Sequence, residues 1–519
     1  MEDLKCKKEE DIKISPIRTN DSSTINSFEN SENSTKSNNA STVSSITEGT
    51  SQIKLTTEIK IPQEAEVKNN TNGITSNDLS RENSKQDVEG VREVRVATIG
   101  NVDSGKSTLV GVLTKCILDD GRGYARQLVF NFDHEKQNGR TSSVTQEIMG
   151  FKQHKQVEPH KTTDKKNTLW GKIVKDSDKI VSLIDLCGHE NYLKTTIFGL
   201  TGLVPDYAMI VIGANMGVQR MTKEHLGIAL ALKVPIFIAI TKIDIAPPEI
   251  FKQTLDYITK VLRSTGAQKM PVLIRENDDV TVYAESIVSD RVCPIFCVSS
   301  VTGEGIEKLR QFMGNLQTRT SHNPLSIKSS TEKVEFLIDG SFNVKGVGLV
   351  LSGTLVGGTV TLGQALLLGP DKKGDFRPVV VKSIHFKRTS VEEVTSGNSA
   401  CLHVKSKDKE NLKSVDIRKG MVILDKDSHP KAVMEFDADV VILHHATTIK
   451  PKYQAVIHTG VVRQTAQVIS MTSELLRTGD KGTVRFRFIR SPEYLHEGAT
   501  ILFREGRTRG LGQISKLIY

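Results

Sequence analysis

The stretch that decides the fold is residues 93–113, EVRVATIGNVDSGKSTLVGVL. Its opening run, EVRVATIG, is rich in branched apolar residues and predicts a buried β-strand, whereas KSTLVGVL follows at helical spacing. Between the two lies GNVDSGKS, which fits the pattern G-x-x-x-x-G-K-[ST]. A glycine-rich loop between a strand and a helix lets backbone N–H groups and the positive end of the helix dipole surround phosphates. The stretch therefore predicts a phosphate-binding loop.

Each position of this loop has a predicted contact with a nucleotide. Lys106 is expected to neutralise the β- and γ-phosphates, and the Ser107 hydroxyl is expected to bind Mg²⁺. A glycine-rich turn with a chance lysine is the alternative, and the flanking strand and helix argue against it. The other positions predicted to contact the phosphates are Asn101, Val102, Asp103, Ser104, Gly105 and Thr108.

Outward from this loop, apolar strands alternate with amphipathic helices. Strand-like runs are IVSLID, YAMIVIGA, PIFIAITKID and CPIFCVSS, and the helical runs between them include TKEHLGIALALK and PEIFKQTLDYITKVLRS. This alternation predicts a doubly wound, mainly parallel α/β sheet. Such sheets bind ligands at the carboxyl ends of their strands, which is where the next motifs fall.

The motif D-x-x-G-H, residues 185–189, closes the strand IVSLID. Asp185 is expected to hold Mg²⁺, as the second acidic element of phosphate-loop enzymes does. The Gly188 amide can approach the γ-phosphate because glycine has no side chain in the way. His189 follows directly and is predicted to project toward the attacking water. A histidine in this place is otherwise structural or merely exposed, and its position after D-x-x-G favours catalysis.

Two further strand ends predict the base-binding part of the site. The carboxylate of Asp244, in T-K-I-D, can accept two hydrogen bonds from the N–H donors of guanine, which adenine lacks. Thr241 and Lys242 precede it, and the Lys242 stem can lie along the base plane. At the end of the last strand, Ser299 and Ser300 are expected to complete the guanine pocket. A surface turn is an equally good account of T-K-x-D alone, so its weight comes from its order after the other motifs.

Composition bounds the class of protein. The chain has 519 residues, a net charge of +9, 37% hydrophobic and 25% charged residues, and six widely spaced cysteines. These values predict a soluble cytoplasmic protein with reduced thiols, without a zinc site and without a membrane partner. No apolar run approaches the roughly 18 residues that span a bilayer. The basic balance permits RNA binding without requiring it.

With these motifs in hand, the chain resembles the translational GTPases related to elongation factor Tu and elongation factor 1-alpha. It is more similar still to the GTP-binding protein 1 and 2 branch. That similarity is carried by LDDGRGYARQ, NGRTSSV, YLKTTIFGLTG, MTKEHLGIALAL, LHHATTI, RTGDKGTVRFRFI, PEYLHEG and FREGRTRGLGQI, and it extends over residues 94–519.

The resemblance and the change of composition along the chain together predict the domain organisation. Residues 1–91, rich in Ser, Asn and Thr, are expected to be a disordered tail. A GTPase domain is expected over 92–320, followed by two β-barrels, domain II over 330–428 and domain III over 430–519. Short branched segments separated by glycines in the last 190 or so residues favour barrels independently. The insertion 152–172, rich in Lys and His, could contact RNA, and a solvated loop is the favoured interpretation.

The resemblance also implies a mechanism. The family hydrolyses GTP with Mg²⁺, rearranges its domains with the nucleotide state, and is stimulated by the ribosome through the histidine that corresponds to His189. It places Val102 in a hydrophobic gate beside that histidine and associates Asp103 with a monovalent cation. Two departures from the commonest pattern are Cys187 in D-x-x-G-H and Thr241 in T-K-I-D.

The segment GRTSSV, residues 139–144, lies where the family has a switch loop whose hydroxyl reaches the metal. Aligning on Arg140 and Val144 makes Ser143 the Mg²⁺ ligand, with Thr141 as the alternative. A polar surface loop is the other interpretation of this segment.

These observations favour a GTPase that works with GTP or GDP, the ribosome and aminoacyl-tRNA in translation elongation. One alternative is ribosome rescue with a protein that mimics tRNA. Another is a GTP-switched adaptor for RNA-decay machinery.

Overall fold

The computed structural model describes five ranges of the chain, residues 91–159, 166–319, 333–406, 416–506 and 508–519. All of them belong to one compact unit, residues 84–519. The tail predicted over 1–91 lies outside the described residues except for Val91. The insertion residues 160–165 and residues 320–332, which include the predicted boundary between 320 and 330, also lie outside them.

An eight-stranded sheet forms the N-terminal α/β domain. Its order is β3-β2-β4-β1-β5-β6-β8-β7, with β2 antiparallel to β4, β3 antiparallel to β2, and the other neighbouring pairs parallel. The strands are β1 (Arg92–Gly100), β2 (Thr145–Lys152), β3 (Lys155–Val157), β4 (Lys179–Asp185), β5 (Tyr207–Gly213), β6 (Ile236–Thr241), β7 (Met270–Leu273) and β8 (Val292–Cys297).

The helices of this domain pack on both faces of the sheet, and each face buries an apolar cluster. Burying a Leu, Ile or Phe side chain stabilises the fold by about 1.5–3 kcal/mol, so these clusters hold the strand ends in fixed positions. The helices are α1 (Lys106–Lys115), α2 (Tyr124–Gln127), α3 (Asp133–Asn138), α4 (Lys166–Asp176), α5 (Leu193–Thr201), α6 (Arg220–Ala231), α7 (Pro248–Arg263), α8 (Val280–Ser286) and α9 (Ile306–Asn315).

The insertion interpreted as a solvated loop is partly helical. Helix α4 begins at Lys166, and its Leu169 and Trp170 are 6% and 7% exposed. They join an apolar cluster with Ile148 of β2 and Phe386, which lies beyond the α/β domain. The prediction was wrong for this part because a few apolar residues at helical spacing suffice to dock a Lys-rich segment.

Two closed β-barrels follow, which confirms the predicted fold class. The first closes in the order β12-β17-β9-β10-β16-β13, with β12 pairing β13, and the second closes as β18-β21-β20-β19-β22-β23. Alternate side chains of their strands fill two separate apolar cores. Among the described ranges, no helix is both long and apolar enough to cross a membrane.

The six strands that close the first barrel are β9 (Glu335–Val344), β10 (Gly348–Gly357), β12 (Ala365–Gly369), β13 (Arg377–Phe386), β16 (Ser399–Ser406) and β17 (Val422–Asp425). In the same domain, β14 (Thr389–Val391) pairs with β13, and β11 (Thr359–Thr361) and β15 (Glu393–Thr395) form a separate two-stranded sheet. The strands of the second barrel are β18 (Glu435–His444), β19 (Gln454–Thr459), β20 (Val462–Met471), β21 (Lys481–Phe488), β22 (Thr500–Glu505) and β23 (Thr508–Ile518).

Ion pairs join the barrels to the α/β domain. Glu93 of β1 lies 2.7 Å from the Lys387 ammonium of the first barrel, and both side chains are almost inaccessible to solvent. Glu224 of α6 pairs with Arg509 of the second barrel at 2.7 Å. Removing one partner of a buried pair leaves an uncompensated charge at a cost of about 3–5 kcal/mol, so Glu93 and Lys387 each depend on the other at this domain boundary.

Candidate nucleotide site

The glycine-rich loop adopts the geometry that the sequence predicts because two of its glycines are sterically required. A Cβ on Gly100, whose φ is +150°, would lie 2.2 Å from the Val211 carbonyl oxygen of β5. Gly105 has φ +84° and forms the N-terminal cap of α1. Asp103 also has a positive φ of 58°. These positive φ angles bend the chain immediately before α1, whose first-turn N–H groups have no partner within the helix.

Lys106 lies at the centre of the loop and is buried. Its ammonium donates to the Asn101 carbonyl oxygen at 2.6 Å, and the buried Ser104 hydroxyl donates to the same oxygen at 2.9 Å. Burial lowers the pKa of Lys106, while the neighbouring Asp185 carboxylate raises it. A Cβ on Gly188 would lie only 2.5 Å from the Lys106 nitrogen. The D-x-x-G loop thus needs glycine here to lie against the phosphate loop.

Three side chains whose oxygens could bind a metal ion meet beside Lys106. The Ser107 hydroxyl lies 2.6 Å from Asp185 Oδ2 and 2.7 Å from the Thr141 hydroxyl, and Thr141 lies 3.3 Å from the same carboxylate oxygen. The other oxygen, Asp185 Oδ1, is buried and has no hydrogen-bond partner among the described residues. Burial raises the pKa of Asp185 to about 6, against the lowering effect of Lys106. Two hydroxyls and one buried carboxylate with a free oxygen are a donor set that fits Mg²⁺.

The structure places the two candidate switch ligands differently. Thr141 is in the donor set just described, whereas the Ser143 hydroxyl donates to Glu135 Oε1 at 3.0 Å. Ser142 donates to the same oxygen through its backbone N–H at 2.8 Å. Glu135, in α3, is fully buried and so holds this part of the segment away from Asp185. The geometry favours Thr141, the alternative, as the switch ligand.

His189 lies beside a cavity of about 350 Å³. Its Nδ1 accepts a hydrogen bond from the Asn191 backbone N–H at 3.1 Å, so the neutral ring carries its proton on Nε2. The ring also contacts the edge of Tyr192, with 6.1 Å between centroids. Assigned residues that line this cavity are Val102, Asp103, Gly105, Lys106, Ser107, Thr108, Thr141, Gly188 and His189.

Cys187 stands where the commonest D-x-x-G-H pattern has proline, and a hydrogen bond to its carbonyl oxygen holds the loop instead. The residue is buried, and its carbonyl oxygen accepts from the Thr196 hydroxyl of α5 at 2.8 Å. Burial raises the pKa of the Cys187 thiol to about 12, so it remains neutral beside Asp185. A hydrogen bond from α5 therefore fixes the loop where the commonest pattern has proline.

The predicted guanine contacts lie at neighbouring strand ends and outside this cavity. The Thr241 hydroxyl donates to the Ser104 carbonyl oxygen at 2.7 Å, and the Lys242 ammonium donates to the Asp103 carbonyl oxygen at 2.8 Å. Asp244 is exposed. We call Thr241, Lys242, Asp244 and the 299–300 segment the guanine half of the site. The phosphate half comprises residues 101–108, Thr141, Asp185, Gly188 and His189.

In the 299–300 segment the serines shape the backbone. The buried Ser299 hydroxyl accepts from the N–H groups of Val301 and Thr302 at 3.2 and 3.1 Å. The Ser300 carbonyl oxygen accepts from the Asp119 N–H at 2.8 Å. The Ser299 hydroxyl and the Ser300 carbonyl oxygen thus each have a partner within the chain.

One site residue was missed in the sequence. His225 of α6 is fully buried, and its Nδ1 accepts from the Gly100 N–H at 3.1 Å. Burial lowers the pKa of His225 to about 3, with Lys106 acting in the same direction, so the ring stays neutral and keeps accepting. In the run TKEHLGIALALK it gives no signal, because a histidine on an apolar helix face is usually part of the core.

Comparison with known proteins agrees with this geometry. The family described as "Elongation factor Tu GTP binding domain" matches residues 91–318. "GTP-binding protein 1" of Xenopus laevis is 49% identical over 426 residues, which are 82% of this chain and 64% of that protein. "GTP-binding protein 2" of Homo sapiens is 41% identical over 82% of this chain and 69% of that protein. The chain thus spans slightly less than two thirds of the first relative.

Solved structures show the same fold. The elongation factor SelB of Methanococcus maripaludis, in complex with the GTP analogue GppNHp, superposes with a TM-score of 0.57 at 18% identity, over 83% of this chain and 80% of that chain. A bacterial selenocysteine-specific elongation factor gives a TM-score of 0.58 at 20% identity, over 82% of this chain and 58% of that chain.

Proposed function

Because this chain belongs to the GTP-binding protein 1 and 2 branch of the translational GTPases, with an elongation-factor-Tu-type GTP-binding domain, we propose that it hydrolyses GTP with Mg²⁺ on the ribosome and engages aminoacyl-tRNA. The observation that carries the chemistry is the meeting of Lys106, Ser107, Thr141 and Asp185 beside one cavity that His189 also lines. The match to relatives that are elongation factors supports the ribosomal part.

The reaction is attack of a water oxygen on the γ-phosphorus, with GDP as the leaving group. Lys106 and the loop N–H groups bind the β- and γ-phosphates and stabilise the charge that spreads over their oxygens in the transition state. They are already in place before the reaction, because the Asn101 carbonyl and the tight loop hold them there. Little reorganisation is then needed, which is the source of most electrostatic catalysis.

Ser107, Thr141 and Asp185 are the residues that would hold Mg²⁺. The ion, when bound, neutralises part of the phosphate charge. Thr141 belongs to the switch segment, so a contact with the γ-phosphate side of the site would order that segment in the GTP state. Loss of the γ-phosphate would release it, which gives a nucleotide-dependent signal to the barrels.

His189 orients the attacking water. In the neutral tautomer that Asn191 selects, Nε2–H is a donor, and the ring is only partly exposed beside the cavity. The isolated protein is expected to hydrolyse GTP slowly, because a partly free ring is not held over the γ-phosphate until a partner positions it.

The role in translation is tested with aminoacyl-tRNA. Purified protein with GTP is expected to protect the aminoacyl ester from spontaneous deacylation, and protein with GDP is not, because the barrels are expected to bind the charged tRNA end in the GTP state only. Deacylated tRNA serves as competitor control. Equal deacylation with GTP, with GDP and without protein would contradict tRNA engagement. Binding to a release-factor-like protein instead would favour ribosome rescue.

A further inference from the structure

Arg126 faces the same cavity as the phosphate half, although no motif assigns it a role. It lies in the short helix α2 and lines the cavity together with Lys106, Ser107, Thr141 and His189. A further cation beside Lys106 is relevant because a nucleoside triphosphate brings several negative charges into a confined space, where each counter-charge strengthens binding.

The loop that carries Arg126 is fixed by the Asp119 carboxylate. Asp119 accepts from the backbone N–H groups of Gly121, Gly123 and Ala125 at 3.1, 3.2 and 2.8 Å. Its own N–H donates to Ser300 of the guanine half at 2.8 Å. A charged acceptor with three backbone donors is a strong local anchor, so the backbone that positions Arg126 is held firmly relative to both halves of the site.

Two glycines make room for the Arg126 guanidinium. A Cβ on Gly123, at φ +95°, would lie 2.4 Å from its Nε, and a Cβ on Gly139, at φ +63°, would lie 3.2 Å from its Nη2. The guanidinium therefore lies between the loop of α2 and the switch segment. Gly139 is two residues before Thr141, so Arg126 also contacts the segment that delivers the proposed metal ligand.

Within the described ranges, the Arg126 guanidinium has no ion pair and no side-chain hydrogen bond, although the residue is half-buried. The neighbouring Arg140 differs, because its guanidinium lies 3.8 Å from the Asp103 carboxylate and is 60% exposed. A guanidinium carries five N–H donors in a planar fork that matches phosphate oxygens. The guanidinium of Arg126 thus lies at the cavity with N–H donors that an anion in the cavity would accept from.

We propose that Arg126 binds the phosphates of the nucleotide directly, donating from its guanidinium fork to their oxygens. The contact complements that of Lys106, which lines the same cavity. Through Gly139 it also holds the switch segment against the bound nucleotide. This inference rests on the proposed GTP site and adds a phosphate-binding residue to it.

The test compares Arg126→Ala and Arg126→Lys with Arg122→Ala, a matched control. Arg122 is on the same loop but is exposed and outside the cavity. Affinity for GTP and GDP is measured by calorimetry in Mg²⁺ at low and high salt. Arg126→Ala is expected to weaken binding on the order of 10- to 100-fold, as loss of a charge-assisted hydrogen bond does. The loss should shrink at high salt, because added ions screen the charge. Arg126→Lys should recover part of the affinity, and Arg122→Ala should match the wild type.

Gly123→Ala provides an independent variant that keeps the arginine. Its new methyl group would displace the guanidinium and would also strain the loop backbone, because Gly123 has φ +95°. The part of the affinity loss that disappears in the Arg126→Ala background reports on the guanidinium, and the part that persists there reports on the backbone strain. Thermal unfolding checks that each variant folds.

Three results overturn the inference. The first is wild-type affinity in Arg126→Ala. The second is a loss of affinity that neither added salt nor the Arg126→Lys substitution changes, because packing of the side chain against Gly139 alone would produce such a loss. If the wild type itself fails to bind GTP in Mg²⁺, the proposed site falls with the inference, whereas wild-type affinity in Arg126→Ala overturns only the inference and leaves that site standing.

Discussion

In the phosphate half of the site, Lys106 and Asp185 are buried and each has partners within the chain, whereas in the guanine half Asp244 is exposed. The difference follows from the chemistry of the two parts of the ligand. A triphosphate with Mg²⁺ needs charges held in place in a region of low dielectric constant, so its contacts are built before it binds. A base needs one pair of hydrogen bonds with a fixed direction, and a single carboxylate at a strand end supplies it.

The two halves are nevertheless connected. Thr241 and Lys242 donate to the carbonyl oxygens of Ser104 and Asp103 in the phosphate loop. Asp119 donates its N–H to Ser300 and anchors the loop of α2. Mutations in the phosphate half should therefore reduce affinity for any nucleotide, whereas a mutation at Asp244 should change which nucleotide binds.

The largest expected effect is that of Lys106→Ala. It removes a cation that we assign to two phosphates, and loss of two charge-assisted hydrogen bonds should weaken GTP binding on the order of 1000-fold. Calorimetry in Mg²⁺ measures it, and circular dichroism checks that the barrels remain folded. Lys252→Ala, which changes an exposed lysine of α7, is the control. Affinity within a few-fold of the wild type in Lys106→Ala would show that the phosphate loop is misassigned.

Asp244→Asn should have the next effect, and one of a different kind. The amide no longer accepts both hydrogen bonds from guanine, which should cost about 2–4 kcal/mol of GTP binding. The new amide can donate to the C2 carbonyl of xanthine, so xanthosine triphosphate should bind the variant better than GTP does. Equilibrium titration with both nucleotides is the measurement, and Asp256→Asn on α7 is the matched control. Unchanged GTP affinity would exclude Asp244 as the base-reading residue.

A smaller effect, on the Mg²⁺ dependence of GTP binding, should show whether Thr141 or Ser143 is the switch ligand. Thr141→Ala removes a hydroxyl of the proposed metal set and should raise the Mg²⁺ concentration needed for GTP binding on the order of 10-fold. Ser143→Ala should shift it less, because the Ser143 hydroxyl is directed to Glu135. The measurement is GTP affinity across a Mg²⁺ titration. A larger shift in Ser143→Ala would restore Ser143 as the switch ligand.

Much of this architecture could be predicted because local signals agree with one another. The strand–loop–helix pattern around Lys106 and the strands ending at Asp185 and Thr241 lie at one edge of the sheet, as expected of a doubly wound fold. The Ser143 and Thr141 alternatives could not be separated in sequence. The choice depends on Glu135, a buried carboxylate that takes up Ser142 and Ser143.

His225 and Arg126 escaped prediction for a related reason. Each acts on the site from an element whose own pattern is ordinary: an apolar helix face in one case and a loop of mixed charge in the other. Their roles arise from tertiary contacts, namely the hydrogen bond to Gly100 and the space beside Gly123 and Gly139. Sequence spacing carries no information about such long-range contacts.

The central claim is that this chain is a GTPase whose phosphate half binds GTP and whose His189 orients the attacking water. Single-turnover GTP hydrolysis by the wild type and by His189→Ala, with and without ribosomes, tests it most directly, with GTP affinity measured on the same samples. His385→Ala, which changes an exposed histidine of the first barrel, is the control. The account predicts nearly unchanged affinity and a fall of about two orders of magnitude or more in ribosome-stimulated hydrolysis. Hydrolysis by His189→Ala at the wild-type stimulated rate would contradict it and leave His189 a structural residue.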